Sequence, residues 1–113
     1  MSGRKNNLVT YVSLAAGDMS LSLTSAATDI RWLDNVVMYL TFTGTPTGTF
    51  KVQVSPDNIT FVDLALVPVP TAAGAAGSHR IGLNQLPDPY IRAAYTAASG
   101  TGTLTVKIAG KMI

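Results

Sequence analysis

The chain contains no cysteine and no glutamate. The first absence rules out disulfides and Cys-ligated zinc or iron, and it leaves the redox compartment open. There is one histidine, His79, whereas hydrolytic zinc sites draw on two or more His, or on Cys. Charge is scarce as well. Asp, Lys and Arg together make 12% of the 113 residues, about half of the ~25% usual in a soluble domain. Every acid is an aspartate, at positions 18, 29, 34, 57, 63 and 88. No apolar run approaches the ~18 residues of a membrane-spanning helix, so no membrane partner is expected. The start, MSGRKNNLVTYVSLAAG, is basic and then weakly apolar, but Thr10, Tyr11 and Ser13 interrupt it in a strand pattern. That argues against a signal peptide and puts the beginning of the working chain at or next to Met1. With no Glu and few Lys the best helix formers are thin, and the many Thr and Val favour strands.

What fills the gap is Thr, Ala, Ser and Gly. A surface of these residues does little to discourage close contact, and a free monomer normally carries more charge for solubility. The composition therefore favours a protein that lives packed in an assembly over a free enzyme. Net charge is +2 and the eight Lys and Arg are scattered, not gathered in the basic stripe of a nucleic-acid binder, so no nucleic-acid partner is expected. Their one cluster is Arg4-Lys5. It reads as a solvated tail, or as an arm laid on an acidic partner surface.

The length suits one domain with a two-layer core. Residues 1–6 read as a flexible leader and residues 7–113 as a single β-sandwich domain. Gly48 to Leu64, GTFKVQVSPDNITFVDL, sets the register. Phe50, Val52 and Val54 alternate with Lys51, Gln53 and Ser55, giving one apolar and one wet face. Ser55-Pro56-Asp57-Asn58 has turn chemistry, and Ile59, Phe61 and Leu64 start the return strand. Other strands follow from the same alternation. Asn7 to Leu14 puts Leu8, Thr10, Val12 and Leu14 on one face. Met19, Leu21 and Leu23 alternate with Ser20 and Ser22. Val36 to Thr43 buries Val36, Met38, Leu40 and Phe42, and its opposite face is apolar enough at the start for cover on both sides. His79 to Asn84, Tyr90 to Thr96 and Thr103 to Ala109 complete the set. Leu86-Pro87-Asp88-Pro89 is a rigid turn and Ala97 to Gly102 a hairpin turn. The expectation is an all-β, antiparallel, jelly-roll-like β-sandwich of about eight strands.

Two stretches break the pattern. Thr24 to Asn35, TSAATDIRWLDN, is a connection with room for one helical turn. Trp32, the only tryptophan, is there either a core plug or an exposed contact for a partner or a sugar ring. Val67 to Ser78, VPVPTAAGAAGS, has prolines that remove ladder donors and alanines with little surface to bury. It reads as a long mobile loop, or an arm that orders on a partner.

No catalytic constellation emerges. His79 reads as an exposed loop-end residue, not a general base, and no G-x-S-x-G elbow accompanies it. Turn aspartates such as Asp57, with Asp29, Asp34 or Asp88, have the hard oxygens calcium takes, but nothing resembles an EF-hand loop. Phosphate-binding glycine motifs are absent. Tyr11, Tyr39, Tyr90 and Tyr95 suit base or sugar stacking as well as interface packing.

Gly48 to Leu64 with Tyr90 to Lys111, YIRAAYTAASGTGTLTVKIAGK, covers about a third of the chain. The pairing resembles small virion proteins of tailed bacteriophages, in particular the capsid cement (decoration or staple) proteins of some short-tailed phages. The Tyr-Ile-Arg strand, the Ser-Gly-Thr-Gly hairpin and the Thr-Leu-Thr-Val final strand carry most of it. The resemblance implies a jelly-roll-like sandwich bound outside a shell of phage major capsid protein. There it would bridge neighbouring subunits, often as a dimer, without enzymatic activity or cofactor. The first stretch also resembles discoidin-type carbohydrate-binding sandwiches, with Asn58 and Phe61 where those have Gly and Trp. That motif is structural there and carries no sugar-binding residue across. The contact parts expected are the leader, the 24–35 connection and the 67–78 loop. The residues singled out in and beside them are Arg4, Lys5, Arg31, Trp32, Pro68, Pro70, His79 and Arg80.

Overall fold

The computed structural model describes residues 8–66, 70–83 and 88–112. It forms strands β1 (Leu8–Asp18), β2 (Leu23–Thr24), β3 (Thr28–Asp29), β4 (Leu33–Phe42), β5 (Thr47–Ser55), β6 (Val62–Leu64), β7 (Thr71–Ala73), β8 (Gly77–Leu83), β9 (Tyr90–Ser99) and β10 (Thr103–Met112). Among the described residues there is no helix. All pairings are antiparallel. One sheet has the order β1-β10-β4-β8. The other has the order β2-β9-β5-β6, with β3 also on β9 and β7 also on β5. Since β5 and β9 pair along their lengths, β2 and β3 share the free edge of β9, and β6 and β7 that of β5. Each couple is one interrupted strand. The expected eight-strand jelly roll is therefore present, with ten segments because two of its strands are broken.

The core lies between the sheets and comes from the strands with the cleanest alternation. Val36, Met38, Leu40 and Phe42 of β4 are buried, as are Phe50, Val52 and Val54 of β5. Ile91, Ala93 and Tyr95 of β9 and Leu104, Val106 and Ile108 of β10 complete it. Each large apolar side chain taken fully out of water contributes about 1.5–3 kcal/mol before conformational entropy is subtracted. Phe50 is the hinge of an aromatic cluster, with ring centroids 5.4 Å from Phe42 and 5.0 Å from Tyr95. The Tyr95 hydroxyl donates to the Thr47 carbonyl at 2.7 Å, so its one polar atom is satisfied, and burial raises its pKa.

Five local expectations fail, each for a physical reason. In β1 the inward residues are Val9 and Leu14, while Val12 is 56% exposed. Register shifts against β10 between Val12 and Leu14, and between Leu14 and Gly17, insert bulges. The extra residue after Val12 breaks the common parity of Val12 and Leu14, so Val12 stays outward opposite Lys107 while Leu14 turns inward opposite Val106, and Ala16 takes a left-handed φ of 50° within the second shift. The Met19–Leu23 strand shrinks to Leu23–Thr24, with Met19 buried and Leu21 exposed. Asp18 causes this by accepting the Ser20 N–H at 2.9 Å and the Ser20 hydroxyl at 2.7 Å, which turns the chain.

The 24–35 connection holds no helical turn. Thr28–Asp29 pairs with β9, and a tight turn closed by Leu33 N–H to Ile30 O at 3.0 Å starts β4. The 67–78 segment is largely sheet where it is described. Pro70 O accepts the Phe50 N–H at 2.9 Å, β7 pairs with β5, and Ala72 is small enough to be buried there. Finally, β4 is covered on one side only, since Tyr39 on its outer face is 39% exposed. The expected Leu86–Pro89 turn begins at residues outside the described set.

Candidate contact surface

An open groove of about 450 Å³ runs along the sandwich edge where β1 of one sheet faces the β2–β3 segment of the other. Its walls are Tyr11, Val12 and Ser13 on one side and Ala26 to Asp29 with Trp32 on the other. The segment between β2 and β3 is irregular yet fixed. Ser25 is buried, donates its N–H to Ala93 O at 2.8 Å, and accepts the Ala93 N–H on its Oγ at 2.8 Å. Next to it, Ala26 N–H donates to Ser13 O at 3.0 Å and ties the two sheets together.

Asp29 then organises the turn that presents Trp32. Its carboxylate accepts the Arg31 N–H at 3.0 Å and takes the guanidinium in a fork, with Nε at 3.0 Å from Oδ1 and Nη2 at 2.6 Å from Oδ2. The Arg31 side chain, and then its N–H, hold the Asp29 carboxyl below its ordinary pKa. The Arg31 guanidinium also lies 5.7 Å from the Tyr90 ring centre. With Arg31 folded back, Trp32 projects outward and is 66% exposed. Of the two roles open to it, the core plug is excluded.

Beyond the groove, Val12 also belongs to the outer face of the β1-β10-β4-β8 sheet. Register places Val12, Lys107, Tyr39 and Arg80 in one row across the four strands. The flanking rows are Thr10–Ala109–Val37–Gly82 and Thr105–Thr41–Ser78, all short side chains. None of these residues is acidic. The opposite sheet's outer face differs. There Lys51 lies 3.4 Å from Asp63, Gln53 donates to Asp63 at 2.9 Å, and Arg92 donates to Gln53 at 2.8 Å. The Arg92 guanidinium also sits 3.8 Å from the Phe61 ring centre. That face satisfies its own charges.

The Gly48–Leu64 hairpin is a register element. Asp57 Oδ1 accepts the Ser55 hydroxyl at 3.0 Å and the N–H groups of Ile59 and Thr60 at 2.9 and 3.0 Å. Asn58 takes the left-handed φ of 62° expected of it. The backbone donors Thr60 and Ile59 hold the Asp57 carboxyl below its ordinary pKa. This larger turn keeps Ile59 82% exposed, and the return strand starts only at Val62. Among the described residues no three His, Asp or Glu side chains gather to hold a metal.

No family model matches the chain, and no curated protein does. Solved structures do. The crystal structure of the PBSX exported protein XepA matches 93% of this chain with a TM-score of 0.65 and 16% identity. The crystal structure of the SPBc2 prophage-derived protein YomS matches 91% of it, at a TM-score of 0.56 and 7% identity. A chain of infectious bursal disease virus, Gx strain, matches 93% at a TM-score of 0.55 and 8% identity. The likeness is one of fold. The chain spans 37% of the XepA chain and 32% of the bursal disease virus chain, but 93% of YomS.

The residues singled out from sequence do not converge on one point. Trp32 lines the groove, and Arg31 is held beside it on Asp29, another of the lining residues. Arg80 lies on the sheet face. Pro70 is buried, with its carbonyl on β5. His79 is no loop-end residue. It sits inside β8, with Nε2 2.8 Å from Thr71 O and its ring centre 5.9 Å and 5.6 Å from those of Phe42 and Phe50. It joins β8 to β7 and closes that edge of the sandwich. Arg4, Lys5 and Pro68 lie outside the described residues. Tyr11 and Tyr39, which the sequence marks as stacking or interface residues, are on this surface, whereas Val12 and Lys107 were passed over as contacts. The strand alternation places Tyr39 and Lys107 outward, but only the sheet order puts them side by side.

Proposed function

We propose that this chain is a non-enzymatic virion structural protein. It binds the outside of a phage capsid, bridges major capsid protein subunits and braces the shell, two copies associating there. The observation that carries the reading is the contiguous contact surface. The Trp32 groove and the low-charge sheet face join through Val12. The prophage-derived and viral origin of proteins sharing the fold supports it. Many modest contacts, repeated over a shell, sum to firm attachment. The test is purification of assembled particles. The chain is expected in stoichiometric amounts, and particles lacking it should rupture at lower temperature. Its absence from purified particles would refute the proposal.

One observation favours a second reading, a carbohydrate-binding or tail-associated module. Trp32 and Tyr11 line an open groove beside the polar Asp29, an arrangement suited to stacking a sugar ring. Titration with host-surface polysaccharide should then quench Trp32 fluorescence, and a flat titration removes the reading.

A further inference from the structure

We infer that the chain docks through the outer face of the β1-β10-β4-β8 sheet onto an acidic protein surface, with Lys107 and Arg80, on either side of Tyr39, as the ion-pairing centre. The inference deepens the capsid reading and rests on it for the identity of the partner, but not for the chemistry of the face.

Charge distribution is the first argument. Asp29 is engaged by Arg31, Asp63 by Lys51 and Gln53, and Asp57 by its own turn. All three lie away from this face. Lys107 and Arg80 have no carboxylate in their own row or in the rows beside it. The acids of this sheet, Asp18 opposite Thr103 and Asp34 opposite Lys111, belong to more distant rows. The centre of the face is therefore locally positive, and an acidic surface is its complement. Shape is the second argument. With strands about 4.8 Å apart, the two cations stand roughly 10 Å from each other across Tyr39. The rows on both sides are short side chains, so a partner can approach closely around a tyrosine, a residue type enriched at binding hot spots.

Size is the third. Four strands and three rows make a patch of roughly 400 Å², near half of the ~800 Å² each partner gives to a stable interface. The contact is completed only if it continues over Val12 into the Trp32 groove. Two cations do not make the stripe that tracks a phosphate backbone, which disfavours a nucleic acid. A second copy offers Asp29 and Asp63 only by breaking ion pairs they already hold, and its exposed Asp18 and Asp57 are single carboxylates at separate turns, already accepting N–H groups there.

The test uses the full chain in three forms: unchanged, Arg80→Glu with Lys107→Glu, and Lys51→Glu as a control on the other sheet. Melting curves verify folding, and Arg80→Gln with Lys107→Gln replaces the double reversal if it does not fold. Binding is measured to immobilised poly-L-glutamate, to duplex DNA, and to shells of major capsid protein. On poly-L-glutamate and on shells the double reversal should lose at least about tenfold in affinity, because two attractions become repulsions, while Lys51→Glu stays within about twofold. Binding of the unchanged chain should weaken steadily with salt.

Equal binding of the unchanged and doubly reversed chains to poly-L-glutamate overturns the inference. So does equal binding of the two to shells, which leaves the capsid reading standing. An unchanged chain that ignores shells, yet binds poly-L-glutamate through these two cations, sinks the capsid reading and keeps the face. Tighter binding to duplex DNA than to poly-L-glutamate at equal salt, lost in the double reversal, overturns the protein partner in favour of a nucleic acid.

Discussion

Replacing Ser25 by alanine should destabilise the fold far more than an ordinary surface Ser→Ala change. Ser25 is 4% exposed, and its Oγ is a partner of the Ala93 N–H at 2.8 Å on a strand in the middle of the sheet. Alanine fits the space but leaves that amide unpaired where water does not reach. Such an orphaned group costs about 1–3 kcal/mol. For a chain of 113 residues, each kcal/mol lowers Tm by about 4 °C, so the expected fall is about 4–12 °C. Ser22→Ala is the matched control. Its Oγ accepts the Ala97 N–H at 3.1 Å, but Ser22 is exposed and water replaces it, so the change should stay within about 0.5 kcal/mol. Thermal melts followed by circular dichroism measure both, and hydrogen exchange reports the Ala93 amide. A Ser25→Ala chain that melts with the Ser22→Ala chain and keeps its Ala93 protection would refute the reasoning.

Three further outcomes follow from the same geometry. Trp32→Ala should change stability by no more than about 0.5 kcal/mol, because the ring is mostly in water. In the unchanged chain acrylamide should quench the folded and unfolded states almost alike, and strong native shielding would place Trp32 inside. Tyr95→Phe removes the hydroxyl that donates to Thr47 O at 2.7 Å and should cost about 1 kcal/mol, or near 4 °C in Tm. Acid sensitivity should come from turn carboxylates. Asp18, Asp29, Asp57 and Asp63 all titrate below their ordinary value of 3.8, through the Ser20 N–H, the Arg31 side chain, the Thr60 N–H and the Gln53 side chain respectively. A depressed carboxylate contributes stability that is present above the unfolded pKa and lost as pH falls through the folded one. Stability should thus hold near neutrality and fall below about pH 3.8. Asp57→Asn keeps an acceptor oxygen and should flatten that acid limb, whereas an unchanged limb would show that the turn carboxylate does not matter.

The strands that could be read from sequence are those whose alternation is never interrupted. Val36 to Phe42, Phe50 to Val54, Ile91 to Tyr95 and Leu104 to Ile108 point inward as their spacing requires. What was hidden depends on non-local pairing. Nothing in LVTYVSLAA announces that β1 bulges against β10 after Val12 and so puts Val12 and Leu14 on opposite faces, because a bulge is a property of two strands. Short β7 is legible only once β5 offers it an edge, since Thr-Ala-Ala has little strand preference of its own. Met19, Leu21 and Leu23 have a strand spacing, yet the Asp18 side chain captures the Ser20 backbone and local turn chemistry wins. The contact surface was half visible. Trp32 stood out by composition, and Arg80 by its place after the 67–78 segment. Their partners Tyr11, Tyr39 and Lys107 become neighbours only through the jelly-roll order. His79 shows the converse error, since a residue beside a loop in sequence became a structural link between the two sheets.

The most direct measurement of the central claim is a reconstruction of purified particles at a resolution that traces strands. The account predicts a jelly roll on the outside of the shell, across subunit boundaries, with Tyr39, Lys107 and Arg80 toward acidic side chains of the capsid. Particles without this density, or with the chain attached only to the tail, would contradict it.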